Sequence, residues 1–105
     1  MNKYETLKNK LEEEGTGKMK CFGNSMTPIL KSGSTLTFVK QENYEVGDIV
    51  FSKVKGRYID AHKIVKIDPA GRYLIANNHG WENGWTKIIY GKAIEAEHEG
   101  NIKNL

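Results

Sequence analysis

The sequence predicts a mostly β domain preceded by one short helix, and three observations carry that reading. Tyr4, Leu7 and Leu11 recur at spacings of three and four within a Lys-, Glu- and Leu-rich stretch over 2–14, which draws one apolar stripe along a helix. From Lys18 onward the chain turns to β-branched and aromatic runs divided by Gly and Asn, with no second helical period. Its 105 residues can bury a single modest core but not two.

Each element follows from local chemistry. Gly15-Thr16-Gly17 stops the helix, so residues 1–17 read as helix and linker, 18–98 as the β domain and 99–105 as a flexible tail. The helix is expected to pack on the sheet edge, with docking of a partner helix as the rival role. Strands are expected near 18–22, 34–40, 48–54, 57–67, 72–76 and 86–97. Lys55-Gly56-Arg57 offers Gly where positive φ is needed, and Asp68-Pro69-Ala70-Gly71 uses Pro to preset φ, so both read as hairpin turns. Strands 48–54 and 57–67 should then pair antiparallel. Between the last two strands, Asn77 to Trp85 contains two Trp, two Gly and three Asn in nine residues. That composition suits a shaped, partly exposed binding surface with Trp81 and Trp85 as contact residues; both rings capping the core is the equal alternative.

Composition narrows the functional classes. Sixteen Lys and Arg against thirteen Asp and Glu leave a net charge of only +3, and the basic residues are dispersed, so no dedicated nucleic-acid surface is expected. The longest apolar runs are a few residues, whereas a membrane span needs about 20. A cytoplasmic protein without a membrane anchor is therefore expected. Cys21 is the only cysteine, which rules out an intramolecular disulfide or a cysteine-built zinc site. It reads as a small buried residue and not as a thiol partner for His62. His79 and His98 fit no familiar ligand spacing, so neither a metal nor another cofactor is expected.

One stretch carries chemistry. Gly23-Asn24-Ser25-Met26-Thr27-Pro28 presents a hydroxyl between a glycine and a rigid proline. Alone it is an ordinary polar turn. It is followed in order by Gly47-Asp48-Ile49-Val50-Phe51, Ala61-His62-Lys63-Ile64-Val65, Tyr73-Leu74-Ile75 with Asn77-Asn78, and Ile88-Ile89-Tyr90-Gly91-Lys92-Ala93-Ile94. This ordered set resembles the core of the superfamily that joins LexA-type repressor peptidases with type I signal peptidases, over roughly residues 19–96.

The resemblance implies a small twisted β-sheet or partly open barrel of the LexA/signal peptidase type, in which Ser25 attacks a peptide carbonyl. Most relatives use Lys as the base. Here His62 matches that position, with Lys63 where an Arg commonly follows, so the pattern resembles most the Ser-His type of signal peptidase. Those relatives carry a Gly-Asp element after the next strand; this chain reads Ala76-Asn77-Asn78-His79. Asn77 and Asn78 are the positional candidates for orienting His62, with Asp60 and Asp68 the candidates by charge.

A serine hydroxyl needs a nearby base and donors for the developing oxyanion, and imidazole suits the base role because it is neutral near pH 7. His62 lies far along the chain from Ser25, so only the tertiary fold can join them. By period two its face should carry Asp60 and Ile64. Gly23 would allow close backbone approach of a substrate strand, and Met26 reads as a core or pocket-wall residue.

The leading expectation is a serine peptidase-like domain acting on an extended peptide that adds to residues 18–24. The alternative is a catalytically inactive member that binds peptides or forms a homodimer through the same surfaces. A phage or mobile-element origin would suit the compact form. The resemblance to LexA-type repressors implies that self-cleavage would need an Ala-Gly or Cys-Gly bond upstream of Ser25; none lies there, and the sole Ala-Gly bond, Ala70-Gly71, falls in a hairpin turn after His62, so self-cleavage is not expected.

Overall fold

The computed structural model describes residues 2–105. Helix α1 spans Lys3–Glu14; Asn2 caps its start by accepting from the Glu5 N–H, and Gly15 ends it in the left-handed region at φ 77°. The helix buries Leu7 and Leu11 in the core, at 2% and 0% exposed, so it is part of the domain and not a free docking element. Two glycines make the close approach possible. A Cβ at Gly17 would stand 2.7 Å from Leu7 Cδ1, and one at Gly91 would meet the Val39 carbonyl at 3.0 Å and Leu11 Cδ1 at 3.2 Å.

Eight strands follow: β1 Thr16–Cys21, β2 Ser34–Val39, β3 Ile49–Val54, β4 Arg57–Ile67, β5 Tyr73–Ala76, β6 Glu82–Thr86, β7 Ile89–His98 and β8 Asn101–Asn104. They form one antiparallel sheet in the order β1-β2-β7-β3-β4-β5-β6, with β8 added on β7. The sheet curls into a half-barrel, and the chain is mostly β with one helix, as its residue patterns predict. One core, which includes Leu36, Phe38, Phe51 and Ala93, lies under α1. The other gathers Tyr44, Val50, Val54, Ile64 and Ile75.

Both expected hairpin turns form. At the first, Lys55 and Gly56 both take positive φ, the geometry that matches the twist of two paired strands. At the second, the Gly71 N–H returns to the Asp68 carbonyl, and Asp68 also accepts from Arg72 through both backbone and side chain.

Three local expectations change. No linker separates α1 from the sheet, since β1 begins directly after Gly15. Residues 82–85, expected within a loop, belong to strand β6, which pairs with β5. The expected flexible tail contains β8, reached through a turn with positive φ at Glu99 and Gly100. Glu at the first turn position hides that hairpin from a sequence reading, which looks for Asn-Gly or Asp-Gly. No helix among the described residues is long and apolar enough to cross a membrane.

Candidate active site

Ser25 sits in the connection from β1 to β2. The Leu30 N–H closes onto the Met26 carbonyl and the Thr27 N–H onto Asn24, while the side chains of Met26 and Leu30, 4% and 6% exposed, anchor the loop in the core. Gly23 begins the turn at φ 109°, a conformation that disfavours any side chain. Its N–H donates to Ser32 Oγ at 3.0 Å, tying the two ends of the loop together.

His62 comes from β4, where it lies opposite Val50 of β3. The fold brings its Nε2 to 3.0 Å from Ser25 Oγ. The other ring nitrogen, Nδ1, lies 2.6 Å from Asn83 Oδ1. An amide oxygen can only accept, so Nδ1 carries the proton and Nε2 is left to accept from the serine hydroxyl.

The partner of His62 is therefore Asn83, and not Asn77, Asn78, Asp60 or Asp68. Asn77 Oδ1 accepts from the His79 and Trp81 backbone N–H groups and shapes the turn into β6. Asn78 holds the Ser25 loop instead of the ring: its backbone N–H donates to the Ser25 carbonyl and its Nδ2 to the Thr27 carbonyl at 3.0 Å. Lys63 donates to Asn78 Oδ1 at 3.1 Å. Asp60 Oδ1 accepts from the Ala61 N–H, and Asp68 is paired with Arg72 at 2.7 Å. The Arg72 backbone and side-chain bonds hold the Asp68 carboxyl below its ordinary range.

Two bulges set this arrangement. Between Val50↔His62 and Ser52↔Ile59, β4 has one more residue than β3, which interrupts the regular alternation just before His62; Asp60 and Ala61 both line the cleft beside Ser25. Between Ile75↔Gly84 and Ala76↔Glu82, β6 has one more residue than β5. Asn83 is that extra residue, and a bulge re-aims a side chain that regular pairing would direct elsewhere. The signal was in the sequence: a Gly inside a strand-like run, here Gly84 after Asn83, marks a bulge. Read as a turn, Asn83-Gly84 conceals it.

Cys21, Gly23, Met26, Leu30, Leu36 and Ala61 line the cleft beside Ser25. Met26 is thus both core and wall. Burial, with a smaller contribution from Asp60, pushes the Cys21 thiol up to about 12, so it is no nucleophile at neutral pH. Trp81 and Trp85 do not line this cleft. Trp81, just before β6, is 71% exposed, and the Trp85 ring lies under the Arg72 guanidinium at 5.5 Å. A second histidine braces the Ser25 loop: His79 Nε2 donates to the Asn24 carbonyl at 3.0 Å.

A peptidase S24-like family model matches residues 2–99, nearly the whole chain. The chain belongs to the peptidase S24-like family. No curated protein matches it. The match spans α1, all of β1 to β7 and every residue of the Ser25–His62–Asn83 cluster, so the S24-like domain includes its helix and does not begin at the sheet.

Proposed function

We propose that this S24-like domain is a serine endopeptidase with Ser25 as nucleophile, His62 as general base and Asn83 as the residue that orients the ring. The single observation supporting this is the 3.0 Å separation of Ser25 Oγ and His62 Nε2, which lies within the range for proton transfer. As Oγ attacks a peptide carbonyl, Nε2 takes its proton and later delivers it to the leaving amine, while Asn83 Oδ1 keeps the Nδ1–H in place. The Ser25 N–H is the candidate oxyanion donor. Extended substrate would lie along 18–24. The use of histidine as the base favours kinship with the Ser-His signal peptidases. A cytoplasmic setting goes with this reading, the lone Cys21 remaining reduced.

The alternative, a catalytically silent peptide-binding or dimerisation module, draws on one feature. Asn83 is an amide, and it stabilises a charged imidazolium less than a carboxylate does. Reaction with a fluorophosphonate probe, read by intact mass and peptide mapping, separates the two. A peptidase gives a single adduct on Ser25 that is lost in Ser25→Ala and slowed about 10²- to 10⁴-fold in His62→Ala. Failure of the folded protein to label would leave the binding module as the reading.

A further inference from the structure

We infer that the groove between α1 and β1 is a docking site for an acidic extended peptide, leading into the cleft at Ser25. The inference uses the proposed function only to say where the groove leads.

Among the described residues, strand β1 pairs with β2 alone. The Gly33 N–H donates to the Cys21 carbonyl and the Lys40 N–H to the Gly15 carbonyl, so odd-numbered residues turn their backbone groups toward β2. Lys18 and Lys20 therefore turn theirs to the open edge. Such an edge is a template for one more strand.

Lys3 and Lys10 of α1 and Lys18 and Lys20 of β1 line the groove beside this edge, all four exposed, and no carboxylate lines it among the described residues. Lys3 Nζ donates to the Lys20 carbonyl at 2.9 Å, occupying the acceptor that an incoming backbone N–H would use. An incoming acidic side chain could draw this ammonium off and so open the edge.

Phe22, 63% exposed, lines both this groove and the cleft at Ser25, so one extended segment can run continuously past both. Lys20 and Lys18 precede Ser25 by 25 − 20 = 5 and 25 − 18 = 7 positions. Acidic side chains are accordingly expected roughly five to seven residues to one side of the bond at Ser25, at strand spacing.

The charge argues for this occupant over others. A second copy pairing edge to edge would bring Lys18 and Lys20 against their own equivalents. A polyanion such as RNA would satisfy the lysines but not the open backbone groups.

The test is fluorescence anisotropy with labelled twelve-residue peptides of alternating Glu-Thr, Gln-Thr and Lys-Thr, using the Ser25→Ala protein so that nothing is cleaved. The Glu-Thr peptide is expected to bind about tenfold or more tighter than the Gln-Thr peptide at low salt. That preference should vanish in Lys18→Glu/Lys20→Glu and persist in the Lys55→Glu/Lys66→Glu control, which alters the same net charge at exposed positions elsewhere. Equal binding of the three peptides overturns the inference, as does a single-stranded oligonucleotide of equal charge that binds more tightly than the Glu-Thr peptide. Serine labelling is a separate readout. A labelled Ser25 without acidic preference leaves the peptidase standing and removes this inference, and acidic preference without labelling does the reverse.

Discussion

Replacing Asn83 is the sharpest probe of the site, because its Oδ1 lies 2.6 Å from His62 Nδ1 and Asn83→Asp exchanges the neutral amide for a carboxylate of the same shape. A neutral hydrogen bond contributes about 0.5–1.5 kcal/mol net, whereas one to a charged group contributes about 1.5–3 kcal/mol. Asn83→Asp should therefore stabilise the imidazolium that forms as Ser25 reacts by roughly 1–1.5 kcal/mol more than Asn83 does, which is about a tenfold faster reaction. Asn83→Ala removes the bond and its hold on the tautomer, for a loss of about three- to tenfold. The assay is the second-order rate of Ser25 labelling by a fluorophosphonate, with circular-dichroism melting to confirm that each variant folds. If Asn83→Asp is no faster than the parent and Asn83→Ala is unchanged, then the orientation of His62 does not depend on this contact and the three-residue arrangement is wrong.

Other outcomes follow from the core and its titrations. Ser52 Oγ is fully buried without a hydrogen-bond partner among the described residues, so Ser52→Ala should raise stability by about 1 kcal/mol in urea melts; a destabilised variant would refute it. Leu11→Ala, at a site 0% exposed between α1 and the sheet, should cost about 2–5 kcal/mol, and Gly17→Ala should also destabilise because its Cβ meets Leu7 at 2.7 Å. Burial first, and then Asp60, raises the Cys21 thiol from 9.0 to about 12, which makes its thiolate about 10³-fold scarcer in the folded than in the unfolded chain near pH 8. Iodoacetamide should then modify the native protein far more slowly than the unfolded one. The same shift contributes stability that is complete below pH 9 and fades as pH rises toward 12, which a pH series of melts can check.

How much of this was legible from the chain depends on whether a feature is local. The stripe Tyr4-Leu7-Leu11 with the Gly15 stop defines α1 because both are short-range: a helix's buried face and its cap lie within one or two turns. The turns at Lys55-Gly56 and Asp68–Gly71 were equally readable, since φ preferences belong to single residues. Six of the strands stood out by composition. β6 and β8 did not, because Glu82-Asn83-Gly84-Trp85-Thr86 and Asn101-Ile102-Lys103-Asn104 lack strand composition and are held in extended form by their neighbours, β5 and β7.

The site divides along the same line. The sequence by itself determined which residue types the proposed chemistry draws on, a serine in a glycine-led turn and a histidine in a strand-like run, and a pattern around them that marks the family. Tertiary structure alone decided that Ser25 and His62 meet at 3.0 Å, that Asn83 rather than Asn77 or Asn78 holds the ring, and that neither Trp81 nor Trp85 is among the residues lining the cleft beside Ser25. The physical reason is the bulge. One extra residue in β4 and one in β6 change which side chains face the site. Such an insertion is a property of two strands in register, so no single stretch of chain records it.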